Sequence, residues 1–287
     1  MVSISNIPID IIHLVAEQLT TQGSSPGEIK RHLAACRLTC RLFAQIFEPY
    51  LFRNGVFADN SVYDGRRSAC RAWKLLQAIK NRPELANHVR NFTLSLSMPS
   101  APPYIPAILE HMGKLERLEV NGKGSAEGEI DWMDLEAPLR TVLTKLVVDG
   151  ECLRELAFEQ IASIPSALVL GAPHLTKISL RAGSIQDEGD AEPETSLSSD
   201  ASEHEPFAFD ISFSNTRSVS GWLSTLPSPH PFLGKMRYLK VTHNAEEEPH
   251  LNEILRICGR NGSCLEVLDI TFHPKVGCEL FLCRYLL

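Results

Sequence analysis

The residues able to do chemistry are few and scattered. Cys36 and Cys40 stand four apart, the spacing that puts two thiolates on one helical face, but no second pair completes a zinc site. Cys258 with Cys264, and Cys278 with Cys283, do not form a C-x2-C framework either. Eight cysteines without a dense spacing pattern read as free, buried thiols rather than as a disulfide scaffold. The ten histidines are dispersed, with no H-E-x-x-H and no H-x-H. No G-x-S-x-G is available for a hydrolase elbow. Gly122-Lys123-Gly124-Ser125 looks like half a phosphate loop, yet it lacks the upstream glycine and has Gly124 where Ser or Thr should follow the lysine. It reads as a polar turn. Asp131, Asp134 and Glu136 beside Trp132 read as caps for the helix that follows. Nothing here argues for an enzyme, a cofactor or a metal, and an interaction role is expected.

At 287 residues, 44% hydrophobic and 22% charged, the chain can bury a substantial core without staples. No apolar run approaches a bilayer-spanning length. The N-terminal stretch carries Asp10, His13 and Glu17 among its apolar residues, so it reads as an amphipathic helix and not as a signal peptide. The expected setting is therefore cytoplasmic or nuclear, and the sequons at Asn91 and Asn261 read as chance matches.

The net charge of −7 is local: omitting Asp187 to Glu205 removes eight acidic groups and leaves 28 basic against 27 acidic ones. Residues 1–90 hold twelve Lys/Arg against seven Asp/Glu, spread over amphipathic helices with no aromatic platform. That suits an acidic protein partner better than nucleic acid.

Three helices are expected in the first fifty residues. Pro8 suits the first helical position, and Ile7, Ile11, Ile12, Val15 and Leu19 fall at helical spacing. Ser25-Pro26-Gly27-Glu28 is a capping box with proline in the first turn. Ile29, Leu33, Cys36 and Cys40 share one face, Thr39 caps or kinks the next junction, and Phe43, Ile46, Phe47, Tyr50 and Leu51 line a third segment. Modules this small need a partner surface. A further helix is expected over residues 66–80.

Beyond it a unit recurs: a helix, a Leu-x-x-Leu-x-Leu strand and a polar turn. The strands are expected at 89–96, 115–120, 153–158, 175–180, 207–213, 236–241 and 265–270, and the clearest helices at 135–148 and 249–258, the last closed by Gly259. Strand starts lie roughly 22 to 38 residues apart, which brackets the leucine-rich-repeat period. Such units stack into a parallel sheet with helices outside. A doubly wound α/β domain also alternates strand and helix, but these strands lack Val/Ile runs and glycine-rich loops. Residues 184–206, acidic and low in large apolar side chains, are expected to form a disordered insertion. The apolar final segment reads either as a cap or as a truncated end.

The run Ile7-Pro8-Ile9-Asp10-Ile11-Ile12 with Val15 and Leu19 resembles the opening of an F-box. Residues 33–43 (LAACRLTCRLF) and 47–52 (FEPYLF) resemble its second and third helices, and 81–90 resembles the bridge to leucine-rich repeats in fungal F-box proteins. Ile7 stands where that family usually has leucine, Asp10 where it has glutamate, and the linker at 20–25 is longer. The resemblance implies an α/β chain with a three-helix F-box-like module (1–55), a helical linker (56–84) and an irregular leucine-rich-repeat solenoid (85–287). It implies the substrate-recruiting receptor of a cullin–RING ubiquitin ligase, binding a Skp-type adaptor and, through it, the cullin scaffold. The repeats would bind an unidentified target, with no nucleic acid or membrane involved. Carried over residue by residue, the adaptor contacts or their support are Ile7, Pro8, Ile11, Ile12, Val15, Leu33 and Phe43. Read without the resemblance, the same chain is a repeat scaffold that binds proteins and has no ubiquitin role.

Overall fold

The computed structural model describes residues 8–21, 26–58, 61–99, 103–122, 128–172, 174–186, 207–212, 216–227, 230–244, 248–260, 265–273 and 281–286. Three helices come first, α1 (Ile9–Thr21), α2 (Pro26–Arg37) and α3 (Arg41–Phe52). Pro26 opens α2 as its missing N–H allows; Ser25 of the capping box lies outside the described residues. Thr39 belongs to the end of α2, where its hydroxyl donates to the Cys36 carbonyl, and α3 starts after Cys40 with no side-chain cap.

Next comes a strand that the sequence did not announce, β1 (Asn54–Ala58). Helix α4 (Ser61–Asn81) and a 3-10 turn (Pro83–His88) lead to β2 (Asn91–Ser95). Residues 56–84 are thus not a linker: they hold the end of the first strand and the crossover to the second, and the sheet begins at Asn54 instead of near residue 85. The following strands are β3 (Arg117–Asn121), the two-residue β4 (Ile130–Asp131), β5 (Glu155–Glu159), the short β6 (Ile161–Ala162) and β7 (Ile164–Pro165), and β8 (Lys177–Arg181). Short β9 (Ile185–Gln186) precedes β10 (Phe207–Ser212), β11 (Met236–Asn244), β12 (Val267–His273) and β13 (Phe281–Leu286). Helices α5 (Ile105–Glu110), α6 (Ala137–Val148), α7 (Ser166–Leu170), α8 (Thr216–Thr225), α9 (Pro231–Lys235) and α10 (Glu248–Arg260) fill the crossovers. Gly259 lies within α10 and does not close it.

The nine main strands form one sheet whose order is the chain order, β1-β2-β3-β5-β8-β10-β11-β12-β13, parallel except for the antiparallel last pair. The protein is thus α/β with a large parallel sheet. Among the described strands the order never reverses, as winding around a central switch point requires. Two registers run straight across: Phe92, Leu118, Leu156, Ile178, Phe209, Leu239 and Leu268 in one row, and Leu94, Val120, Phe158, Leu180, Ile211, Val241 and Ile270 in the next. All are buried and share one core with the crossover helices. The alternating positions turn the other way and are mostly polar, so one face of the sheet is apolar and the other is not.

Five strands, β2, β3, β5, β8 and β12, start two residues later than the leucine pattern suggests, whereas β10 and β11 start where it places them. In Leu115-x-x-Leu118-x-Val120 the first step is three and the second is two, and only the second has strand periodicity. Leu115, Leu153, Leu175 and Leu265 therefore sit in the turn ahead of each strand. That turn repeats in the backbone. The Arg53 carbonyl accepts from the N–H of Asn91, that of Arg90 from Arg117, that of Glu116 from Glu155, and that of Arg154 from Lys177.

The turns after the strands are just as close. A Cβ on Gly122 would lie 2.4 Å from the carbonyl oxygen of Gln160, a backbone atom that the adjoining turn holds in place. Gln160 and Ala182, at the matching positions of β5 and β8, take φ of 56° and 46°. Gly122→Ala is expected to cost about 1–3 kcal/mol, the usual range for overpacking, read as a lower urea midpoint at unchanged m-value.

Ser184, Ile185 and Gln186 also belong to the fold. The Ser184 hydroxyl accepts from the Ser163 N–H (3.0 Å), Ile185 is buried and β9 pairs with β7. The rest of the expected acidic insertion, residues 187–206, lies outside the described residues, as do Lys123, Gly124 and Ser125. Of the cysteines, Cys36, Cys40, Cys70, Cys152 and Cys258 are free. Of these five only Cys258 is fully buried, and burial pushes its thiol up to about 11. Cys40 and Cys70 are exposed, contrary to the expectation of buried thiols: Cys40 lies in the junction between α2 and α3 and not on the α2 face, and Cys70 faces away from the Ala72, Leu76 and Ile79 side of α4.

His230 supplies a pH dependence. Its Nδ1 accepts from the Phe232 N–H (3.2 Å) at the start of α9, which requires that nitrogen to be unprotonated, and burial holds its pKa below the ordinary 6.5. The unfolded chain then binds the proton better than the folded one. The contribution of this group is present above pH 6.5 and is lost as pH falls below 6.5 through the lowered folded-state value. Thermal melts at pH 7.5 and 5.5 are expected to differ less for His230→Asn, which caps without titrating, than for the wild type.

Candidate protein-docking surfaces

Helix α1 carries apolar residues on more than one side, and the structure assigns the sides. Ile12 and Ala16 point inward, with Leu19 beside them, and meet Leu33 from α2 and Ile46 and Phe47 from α3. These five buried residues form a small core separate from that of the sheet. Phe43 and Tyr50 pack at its rim; Phe43 lies 5.5 Å from Phe47, ring to ring, and His13 Nδ1 meets the Tyr50 hydroxyl at 3.3 Å.

The outer side of α1 is equally apolar, and no described residue covers it. Ile9, Ile11, Leu14 and Val15 are 52%, 48%, 54% and 48% exposed. Ile11, Leu14, Val15, Gln18 and Leu19 line a shallow groove along the helix. Leu38 and Leu42, at the junction of α2 with α3, are exposed as well.

The sequence-derived set therefore divides. Pro8, Ile11 and Val15 face solvent, Ile12 and Leu33 are interior and act only as support, Phe43 is half-buried between the two, and Ile7 lies outside the described residues. Ile9 and Leu14 were not in that set. The signal was present: apolar residues at 9, 11, 12, 14 and 15 wrap the helix more widely than a one-sided stripe needs.

A carboxylate ties these helices to the sheet. Glu48 of α3, nearly buried, lies 2.8 Å from the Arg82 guanidinium and 3.5 Å from that of Arg37. Arg82 is also bonded to Glu84 at 2.9 Å. The hydrogen bonds that Arg82 donates to Glu48 and then to Glu84 raise its pKa, while Arg82 holds the Glu84 carboxyl below its usual range.

The second surface is the polar face of the sheet. Thr93, Glu119, Glu155, Lys177 and Lys240 lie between the strand leucines and occupy outward registers. Arg90, Glu116 and Arg154 do not; they sit in the turns before β2, β3 and β5, and Arg237 lies at the register irregularity near the start of β11, while the carbonyl of each of the four accepts an N–H from the next strand unit. Arg117 pairs with Glu119 (3.3 Å) and Glu155 (3.7 Å), Arg90 with Glu116 (3.5 Å) and Arg237 with Glu266 (3.5 Å). Such half-exposed pairs stabilise little. Asn121 donates to Glu159 (2.9 Å) and the Tyr238 hydroxyl to Asp269 (3.3 Å). Charges of both signs alternate across this face.

Among the described residues no group of His, Cys, Asp or Glu side chains is placed to hold a metal ion. No helix among them is long and apolar enough to cross a membrane. Asp131 accepts from the Met133 N–H (2.8 Å) and from the Ser163 hydroxyl (2.6 Å), so it caps the 3-10 turn Trp132–Asp134 and not α6 as expected, and Glu136, at the N-cap position of α6, makes no side-chain cap bond. No protein-family model, curated protein or solved structure matches this chain.

Proposed function

We propose that this chain recruits proteins to a ubiquitin ligase: α1 to α3 act as an F-box that grips a Skp-type adaptor, and the stacked strand units act as irregular leucine-rich repeats that hold a target. The observation that carries the reading is the outward side of α1. Ile9, Ile11, Leu14 and Val15 are about half exposed although the module already has a closed core of Ile12, Ala16, Leu33, Ile46 and Phe47. Apolar surface that a fold does not use for itself is surface for a partner. Chain-ordered strands with a repeated pre-strand turn support the repeat half of the reading.

The deciding experiment is co-expression of the full chain with a Skp-type adaptor followed by size-exclusion chromatography. Co-elution at the mass of a complex is expected; separate elution would refute the recruiting role. The second reading, a repeat scaffold without a ubiquitin role, is favoured by the open polar face of the sheet, which needs no helical module to be accessible. It is the reading left standing if the adaptor fails to bind.

A further inference from the structure

Among the described strands β1 is paired on one side only. β2 runs along one edge in unbroken register from Asn54 with Asn91 to Ala58 with Ser95, and no described strand meets the other edge. The Arg53 carbonyl accepts from the Asn91 N–H at 3.0 Å, which sets the phase of the parallel ladder. Gly55 and Phe57 turn their backbone groups toward β2, so Asn54, Val56 and Ala58 turn theirs away. Among the described residues none of these three has another backbone partner. Free strand edges are normally blunted by a charge, a proline, a bulge or a covering element. β1, reading NGVFA, has no charge, proline or bulge, no described element covers its edge, and Val56 is 64% exposed. The opposite edge strand, β13, reads FLCRYL and carries Arg284.

We propose that the free edge of β1 pairs with the same edge of a second copy of this chain, antiparallel about a two-fold axis at Val56. Backbone donors and acceptors in strand spacing specify an extended peptide as the occupant. Self-pairing fits this edge in particular. Val56 lies opposite Val56 of the second copy and Asn54 opposite its Ala58, each pair exchanging N–H···O=C bonds in both directions. No like charges meet, and two exposed β-branched side chains cover one another. A two-fold contact is closed, so association stops at the dimer. An edge of five residues buries far less than the about 1,200 Å² of a stable interface, so the dimer is weak and concentration-dependent.

Sedimentation velocity on the full chain tests this between about 5 and 500 µM, a range chosen for a Kd near 100 µM. The weight-average mass is expected to climb from 31.9 kDa toward twice that value. Val56→Lys, which sets two ammonium groups against each other on an exposed site, should hold the monomer mass throughout, whereas Val56→Thr should associate as the wild type does. A wild type that stays monomeric at the highest concentration overturns the proposal, as does Val56→Lys associating unchanged. Neither result bears on adaptor binding, which uses α1.

Discussion

Ile11→Asp combined with Val15→Asp is expected to abolish co-purification with the adaptor while leaving the chain folded. Both side chains are about half exposed on the outer side of α1. Surface changes of this kind usually alter stability by less than about 0.5 kcal/mol. In a docked complex the same positions would be dry. Each substitution removes about 1.5–3 kcal/mol of apolar burial and adds a carboxylate without a partner. The two together exceed the roughly 2.7 kcal/mol that corresponds to a hundredfold loss of affinity. The measurement is a pull-down of the co-expressed pair, with a circular-dichroism melt of the variant alone. Ile12→Asp is the contrasting control: it places its charge in the closed core, so the melt itself should change. Undiminished co-purification of the outer-face variant would count decisively against α1 as the docking helix.

The second large effect is predicted for Phe158→Ala. Phe158 is 1% exposed in the middle of β5, and its ring meets Trp132 edge to face with centroids 6.0 Å apart. Truncation of a buried phenylalanine costs about 3–5 kcal/mol, transfer and cavity terms together. That is a large share of the roughly 5–15 kcal/mol that holds a typical domain. β5 is hydrogen-bonded to β3 on one side and β8 on the other, so a defect there weakens both sides of the sheet. The urea transition followed by tryptophan fluorescence is expected to move to a much lower midpoint. A midpoint within about 0.5 kcal/mol of wild type would show that Phe158 is not central to the core.

The strand–helix alternation, the apolar residues of each strand and the helical start of the chain were legible in the amino-acid sequence, because burial imposes a period that survives any tertiary arrangement. Leu118 with Val120 and Leu156 with Phe158 point to one face whatever lies beside them. The first strand escaped notice because NGVFA has neither a leucine pair nor a charge alternation; its β structure comes from the backbone of β2 alongside it. The split of the α1 residues was equally closed to inspection. Ile11 and Ile12 are chemically the same, and one is solvent-facing while the other is interior only because α2 and α3 approach from one side. Spacing within a segment determines which side chains share a face. Only the packing of segments separated in sequence decides which face is consumed by the fold and which remains for a partner.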